Sequence, residues 1–266
     1  MFIIGESING MYKNIAGAIK KKDKAAIQGC ALSQIKAGAD ALDINCGPAS
    51  NLPQDDMRWL LESVQEVTDK PLSIDSSNPK IIASCLKLMK NPAIINSTTA
   101  DAEKLSILVP LAKEYRCRLI GLTISEKGIP QNKEQRMESA VSIVSCCLEE
   151  GFPVEDLYLD PVVMPVNVAQ AQMRGILEAI EEFKVISEPS PKCVVGLSNV
   201  SQGTCSRSLI NRAFLTMAVA YGLDAAILDP CDSVLMDSLI TAELVLNKQI
   251  YCDSYLEAYK RKNYGS

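Results

Sequence analysis

The chain has 266 residues, of which 47% are hydrophobic and 22% are charged, and its formal net charge is −5. This balance is that of an ordinary globular protein, and it argues against a nucleic-acid groove binder, which normally carries a basic excess. The sequence contains no histidine, which excludes Ser-His-Asp catalysis, Cys-His catalysis and His-ligated zinc. Acid–base chemistry must therefore come from Asp, Glu, Lys, Tyr, Cys or bound groups.

Short β-rich segments alternate with longer amphipathic segments along the whole chain. Strands are predicted at about residues 2–5, 41–45, 71–75, 93–96, 118–124, 157–160, 193–198 and 225–229. The segments between them have helical patterns. Residues 53–68 have Pro53 and acids in the first turn and an apolar face, and residues 206–221 end before Gly222.

Eight such units within about 250 residues predict a (β/α)8 barrel, or TIM barrel, with residues 1–266 forming a single domain. Nearly continuous apolar strands are typical of parallel strands buried on both faces. An open doubly wound sheet is the alternative, and it usually carries a glycine-rich phosphate loop after its first strand. Residues 5–10 (GESING) do not fit that loop, and no Walker A motif occurs.

Nearly every predicted strand ends in a carboxylate, amide or hydroxyl side chain. These residues are Glu6, Asp43, Asn45, Asp75, Asn96, Thr123, Asp160, Ser198, Asn199 and Asp229. Any one of them is commonly only a helix N-cap, but a parallel barrel brings all its strand ends to one mouth, where active sites form. Because unpartnered buried polar groups are costly, this mouth is predicted to bind a ligand rich in N–H donors and carbonyl acceptors.

Other classes of site and location are disfavoured. No lysine follows a predicted strand, which argues against a Schiff-base aldolase, and no metal site is predicted, since it would need oxygen ligands alone. The N-terminus does not resemble a signal peptide, and no run of 18 apolar residues suggests a membrane span. Ten cysteines without a secretion signal indicate a reducing cytoplasm. The basic cluster at 260–262 is predicted to be a solvated chain end.

Seven segments, in order and across essentially the whole chain, resemble a known family. They are GESING (5–10), ALDINCGP (41–48), SIDSSNP (73–79), INST (95–98), IGLT (120–123), YLDP (158–161) and GLSNVSQ (196–202). The chain is identified as a member of the pterin-binding methyltransferases. It resembles the methyltetrahydrofolate:corrinoid/iron–sulfur protein methyltransferases and the methyltransferase II enzymes of corrinoid-dependent demethylase systems in anaerobes.

The resemblance implies a role for each matching residue. Asp75, Asn96 and Asp160 would hold the pyrimidine edge of the pterin, because carboxylates accept its N–H groups and an amide can match a mixed edge. Asn199 would donate a hydrogen bond to N5 of the folate during methyl transfer. Gln202 and Arg207 would line the same pocket. Glu6 and Asn45 are also polar positions of the family barrel and are expected in a supporting role.

The resemblance also implies the reaction and its partners. The enzyme would move a methyl group between the cobalt of a corrinoid protein and N5 of tetrahydrofolate, with the corrinoid supplied by the partner and no metal bound by this chain. A cytoplasmic homodimer working in one-carbon metabolism is expected. Transfer from corrinoid to folate is favoured over the reverse. A non-catalytic folate-binding barrel and a dihydropteroate synthase-like enzyme remain as alternatives.

Overall fold

Eight parallel strands close into a barrel in the computed structural model, which describes residues 1–48, 50–249 and 251. The strands are β1 (Phe2–Asn9), β2 (Ala41–Asn45), β3 (Leu72–Asp75), β4 (Ala93–Thr99), β5 (Arg118–Leu122), β6 (Leu157–Asp160), β7 (Lys192–Gly196) and β8 (Ala225–Leu228). Each strand pairs with its neighbours in the sequence, and β1 pairs with β8 to close the ring. The predicted (β/α)8 barrel is therefore confirmed. The predicted basic chain end at 260–262 lies outside the described residues.

Helices connect the strands and cover the outside of the barrel. They are α1 (Lys13–Lys21), α2 (Lys24–Lys36), α3 (Pro53–Gln65), α4 (Pro79–Leu86), α5 (Ala102–Tyr115), α6 (Lys133–Glu149), α7 (Val166–Ala169), α8 (Met173–Glu182), α9 (Arg207–Ala220) and α10 (Ser233–Val245). None of the described helices is both long enough and apolar enough to cross a lipid bilayer.

The hydrophobic core has two layers, because successive side chains of a strand point to opposite faces. Ile3 belongs to the large layer between the strands and the helices, whereas Ile4 belongs to a smaller cluster supplied by alternate strand positions. The smaller cluster consists of Ile4, Ala41, Ile94, Ile120, Tyr158, Val194 and Ala225. It fills the barrel interior, and Leu122 and Ile227 cap it beneath the open mouth.

Two strands are longer than predicted, and both are irregular where they pass the mouth. The strand predicted at 2–5 continues to Asn9, with a shift of register between Gly5 and Ile8. The strand predicted at 93–96 continues to Thr99, with a shift between Asn96 and Thr98. A β-bulge adds a residue and re-aims its side chain. Each of these strands continues into polar residues, beyond the apolar run from which its end was predicted.

The seventh strand is shorter than predicted. Pairing ends at Gly196, and Leu197–Ser201 form a turn of 3₁₀ helix. Ser198 and Asn199 therefore belong to a tight turn and not to a strand end. Gly196 permits this turn, because a Cβ atom there would lie 3.0 Å from Nδ2 of Asn199.

Candidate active site

A cavity of about 350 Å³ lies at the C-terminal ends of the strands. Seven of the eight predicted site residues line it, namely Glu6, Asp75, Asn96, Asp160, Asn199, Gln202 and Arg207. The eighth, Asn45, lies behind the wall, where its Nδ2 donates to Oδ2 of Asp75 at 2.6 Å. The structure thus brings the predicted set together and gives Asn45 a contact with another member.

Strands β2, β3 and β4 form a wall of linked carboxyl and amide groups. Oδ1 of Asp43 accepts hydrogen bonds from Oγ of Ser73 at 2.5 Å and from Nδ2 of Asn96 at 3.0 Å. Burial raises the pKa of Asp43 well above its usual range, and the neighbouring charge of Asp75 raises it further. Burial also raises the pKa of Asp75, against the hydrogen bond from Asn45. This wall orients Asp75 and Asn96 before any ligand enters.

Asp43 is a member of the cavity that the sequence analysis noted as a polar strand end but gave no role. It lines the cavity and is only 3% exposed. The signal that singles it out is its position two residues before Asn45 on β2, which places both side chains on the same face of the strand.

Asp160, at the end of β6, is held by a second set of contacts. Its Oδ1 accepts the backbone N–H of Val162 at 2.7 Å. Burial raises the pKa of Asp160 to about 6, against hydrogen bonds from the backbone of Val162 and Gly196 and the positive charge of Arg136. The carboxyl group can therefore change its protonation state near neutral pH. Hydrogen bonds from the N–H groups of a ligand would stabilise its ionised form.

Arg136 supports this wall from behind and was missed by the sequence analysis. The side chain is fully buried. Its Nε donates to the carbonyl oxygen of Pro161 at 2.7 Å, its Nη1 to that of Asn132 at 2.9 Å, and its Nη2 to Oε1 of Gln172 at 2.9 Å. A helical arginine gives no sequence signal of burial, since most are exposed. Arg136 fixes the segment that follows Asp160.

The opposite side of the mouth is more exposed and carries hydrogen-bond donors beside the carboxyl group of Glu6. Asn199 and Gln202 are exposed at the rim, next to Arg207 at the start of α9. Nε of Arg207 donates to Oγ of Ser201 at 3.1 Å, and Nη2 donates to the carbonyl oxygen of Ser198 at 3.1 Å. Arg207 thereby braces the turn that carries Asn199.

The geometry defines a class of protein. A buried wall of hydrogen-bond acceptors faces a rim of amide and guanidinium donors, across a space that suits a flat heterocycle with N–H groups on one edge. The pterin-binding enzyme family matches residues 13–229 of the chain. The chain therefore belongs to the pterin-binding enzymes, as predicted.

Two relatives by sequence indicate which pterin-binding enzymes the chain is similar to. The chain is 30% identical over its full length to a methylcorrinoid:tetrahydrofolate methyltransferase of Eubacterium limosum, covering 98% of that protein. It is 25% identical over 240 residues to methionine synthase of Mycobacterium tuberculosis, matching 85% of this chain and 20% of that protein. The predicted resemblance to the pterin-binding methyltransferases is confirmed.

Solved structures show the same fold. A dihydropteroate synthase of Coxiella burnetii in complex with pteroic acid superposes with a TM-score of 0.70, at 15% identity, covering 93% of this chain and 94% of that chain. A dihydropteroate synthase of Yersinia pestis with a pterine-sulfa conjugate gives a TM-score of 0.68, at 16% identity, covering the same shares. At these identities the likeness concerns the fold alone.

Proposed function

We propose that the chain transfers a methyl group between the cobalt of a corrinoid protein and N5 of tetrahydrofolate. The observation that carries this proposal is one cavity that combines a buried carboxylate and amide wall with the exposed donor Asn199 on the facing rim. The full-length likeness to a methylcorrinoid:tetrahydrofolate methyltransferase supports it. We propose the direction from corrinoid to folate, in agreement with the name of that relative.

The pyrimidine edge of the pterin would bind deep in the cavity. Asp75, Asn96 and Asp160 lie there, and the last two are less than 9% exposed. Ionised carboxylates accept the amino and ring N–H groups, and the amide of Asn96 can accept or donate. Since Nδ2 of Asn96 already donates to Asp43, its Oδ1 is the atom available to accept from the ring.

N5 would then lie toward the rim, near Asn199 and the opening through which a partner must approach. N5 gains or loses charge as the methyl group moves, and a fixed amide N–H stabilises that charge without having to reorganise. Asn199 cannot itself supply or remove a proton. Gln202 and Arg207 complete the rim, and Arg207 also holds the turn in place.

The corrinoid is a substrate carried by another protein, which would dock over the barrel mouth. The chain would act as a single domain in the cytoplasm, as a homodimer, and without a metal of its own. The last property is tested by exhaustive chelation: activity should survive EDTA, and loss of activity that zinc or magnesium restores would contradict it.

An absorbance assay separates this function from its alternatives. Methylcob(III)alamin incubated with enzyme and tetrahydrofolate under anaerobic conditions should be converted to cob(I)alamin, with formation of 5-methyltetrahydrofolate. A folate-binding barrel without catalysis would bind tetrahydrofolate in calorimetry and give no conversion. A dihydropteroate synthase would instead condense a pterin diphosphate with p-aminobenzoate, and that product would overturn the proposed function.

A further inference from the structure

Methyl transfer to N5 leaves a proton that none of the roles above removes. Tetrahydrofolate carries a hydrogen on N5, and the methylated nitrogen must lose it. Asn199 is an amide and cannot accept a proton at neutral pH. Asp75, Asp160 and Asp43 belong to the walls at the ends of β2, β3 and β6, where the pyrimidine edge would bind. Because the proposed function commits Asp75 and Asp160 to the pyrimidine edge, and Asp43 already accepts from Ser73 and Asn96, the N5 proton needs another acceptor near Asn199.

Glu6 lies on the side of Asn199, and the bulge in β1 places it there. The register of β1 against β2 shifts between Gly5 and Ile8. The backbone N–H of Ser7 leaves the ladder and donates to Oε1 of Gln34 at 2.9 Å. Glu6 lines the substrate cavity, and the hydroxyl of Ser198, the residue before Asn199, donates to its carboxyl group.

Glu6 also lines a second cavity, of about 260 Å³. Tyr12, Asn211, Asp229 and Asp232 are among the residues that line this second cavity, and Oδ1 of Asn211 is buried there without a hydrogen-bond partner. Glu6 therefore borders both the space for the folate and a second polar space, and Tyr12, Ser198 and Arg207 line both as well.

The surroundings of Glu6 favour a carboxyl group that exchanges protons. The hydroxyl of Tyr12 donates to its Oε1 at 3.4 Å. Burial raises the pKa of Glu6, the charge of Asp229 raises it further, and Ser198, Tyr12 and Arg207 lower it. Arg207 uses its Nε and Nη2 for the turn at 198–201. A base with a pKa raised toward the working pH is suited to general acid–base catalysis.

We propose that Glu6 is the acid–base residue of the transfer and passes the N5 proton into the second cavity. This role rests on the proposed function. The lone pair of N5 attacks the methyl carbon, the electron pair of the carbon–cobalt bond stays on cobalt, and the N5 proton moves to the Glu6 carboxylate, directly or through one water molecule. In the reverse direction, protonated Glu6 returns the proton to N5 as the methyl group leaves.

The test is single-turnover transfer from methylcob(III)alamin to tetrahydrofolate across a range of pH, with Glu6→Gln beside wild type. Glutamine keeps the size of the side chain and its acceptor oxygen but cannot take a proton. We expect the rate to fall about a hundredfold or more, and the dissociation constant of tetrahydrofolate to stay within about threefold. At saturating tetrahydrofolate, where the pH dependence of binding no longer affects the rate, the wild-type rate should rise with pH through an inflection that the variant lacks. Infrared difference spectra between pH values below and above the inflection should show the band of a protonated carboxyl group in wild type, and this band should be absent in Glu6→Gln.

A second variant keeps the proposal open to refutation if Glu6→Gln does not fold. Removal of a negative charge in Asp229→Asn should lower the pKa of Glu6 and move the inflection to lower pH. Unchanged rate and pH profile in Glu6→Gln, or an unmoved inflection in Asp229→Asn, would overturn the role of Glu6 alone. A wild-type protein that binds tetrahydrofolate and transfers no methyl group would overturn the proposed function, and this role with it.

Discussion

Among single residues of the cavity, Asn199 is the one to which the proposed function gives a hydrogen bond to N5, and its amide can donate but cannot ionise. It is exposed at the rim, whereas the carboxylates opposite are buried. A donor that strengthens only as charge develops at N5 contributes to the rate and little to ground-state affinity.

Asn199→Ala should therefore bind tetrahydrofolate within a few-fold of wild type and transfer the methyl group at least tenfold more slowly. One well-placed donor is worth about 3 kcal/mol in the transition state, or about a hundredfold in rate. Single-turnover transfer and equilibrium titration of the same variant measure the two effects. A defect that vanishes at saturating folate would show that Asn199 only binds substrate. Gln202→Ala, on the same rim, is the matched comparison.

Asp160 links the stability of the protein to pH, because burial raises its pKa to about 6 from the ordinary value of 3.8. A carboxyl group with a raised pKa stabilises the fold fully below about pH 4, and this contribution is lost as the pH rises through 6. At pH 7 and above, Asp160→Asn should therefore have a larger free energy of unfolding than wild type, by up to about 3 kcal/mol. The difference should shrink toward pH 4.

Denaturant unfolding at several pH values measures this effect, with the exposed Glu155→Gln as control. Tetrahydrofolate affinity should move in the opposite sense. Wild type should bind more tightly as the pH passes 6, because the ionised carboxylate accepts the ligand N–H groups, and Asp160→Asn should lose that dependence. Equal free energies of unfolding for the two proteins at every pH would show that burial does not raise the pKa of Asp160.

Residue identities at the mouth were accessible from sequence, but contacts were not. The strand-end position of Asp75 and Asp160 and the SNVSQ segment around Asn199 were enough to predict cavity residues. Asp43 received no role, although it lies two residues before Asn45, because its hydrogen bond from Asn96 joins residues 53 positions apart. Arg136 received no role because its importance depends on complete burial within a helix, which leaves no local pattern.

At the level of elements, several cavity residues lie where the regular strand structure is interrupted or ends. The bulges in β1 and β4 and the 3₁₀ turn after β7 all carry cavity residues. Short apolar runs located the regular portions of all eight strands, and β2 without error. They failed at the ends of β1 and β4, because each of these strands continues through a bulge into polar residues.

Helix α6 contributes to the site through Arg136, which donates to Pro161 and Gln172 after β6 and to the carbonyl oxygen of Asn132 at the start of α6 itself. Burial lowers the pKa of Arg136 to about 10, so the side chain stays charged at neutral pH. Lysine has no planar fork and cannot reach all three acceptors. Arg136→Lys should therefore reduce the free energy of unfolding by about 2–4 kcal/mol, through acceptors left buried and unpaired.

The same variant should also bind tetrahydrofolate more weakly, because Pro161 and Val162 position Asp160. Chemical denaturation and calorimetry measure the two effects. Arg174→Lys, on the exposed face of α8 with a salt bridge to Glu178, is the matched control and should change stability by less than about 0.5 kcal/mol. Equal effects of the two substitutions would contradict a bracing role for Arg136.

For the whole molecule, the fold could be predicted because barrel closure follows from repeated local patterns, but an assembly surface could not. The outer faces of α9 and α10 enclose a largely apolar groove of about 450 Å³, lined by residues that include Val234, Ala242 and Val245. Met217, Val234 and Leu246 are each at least 40% exposed in this region. Contiguous exposed apolar surface of this kind is typical of protein–protein contact sites.

We predict that the expected homodimer forms through this α9–α10 face. A twofold contact brings the same patch of both copies together, so one charged substitution would enter the interface twice. Val245→Glu should therefore convert a dimer into a monomer in light scattering at micromolar concentration. Val185→Glu, at an equally exposed valine (81% against 79%) that does not line the groove, should remain dimeric. Because the cavity residues come from strand ends within one barrel, the monomeric variant should still bind tetrahydrofolate. A wild-type chain that is monomeric throughout would contradict the homodimer. A dimer that tolerates Val245→Glu would contradict an interface at the α9–α10 face.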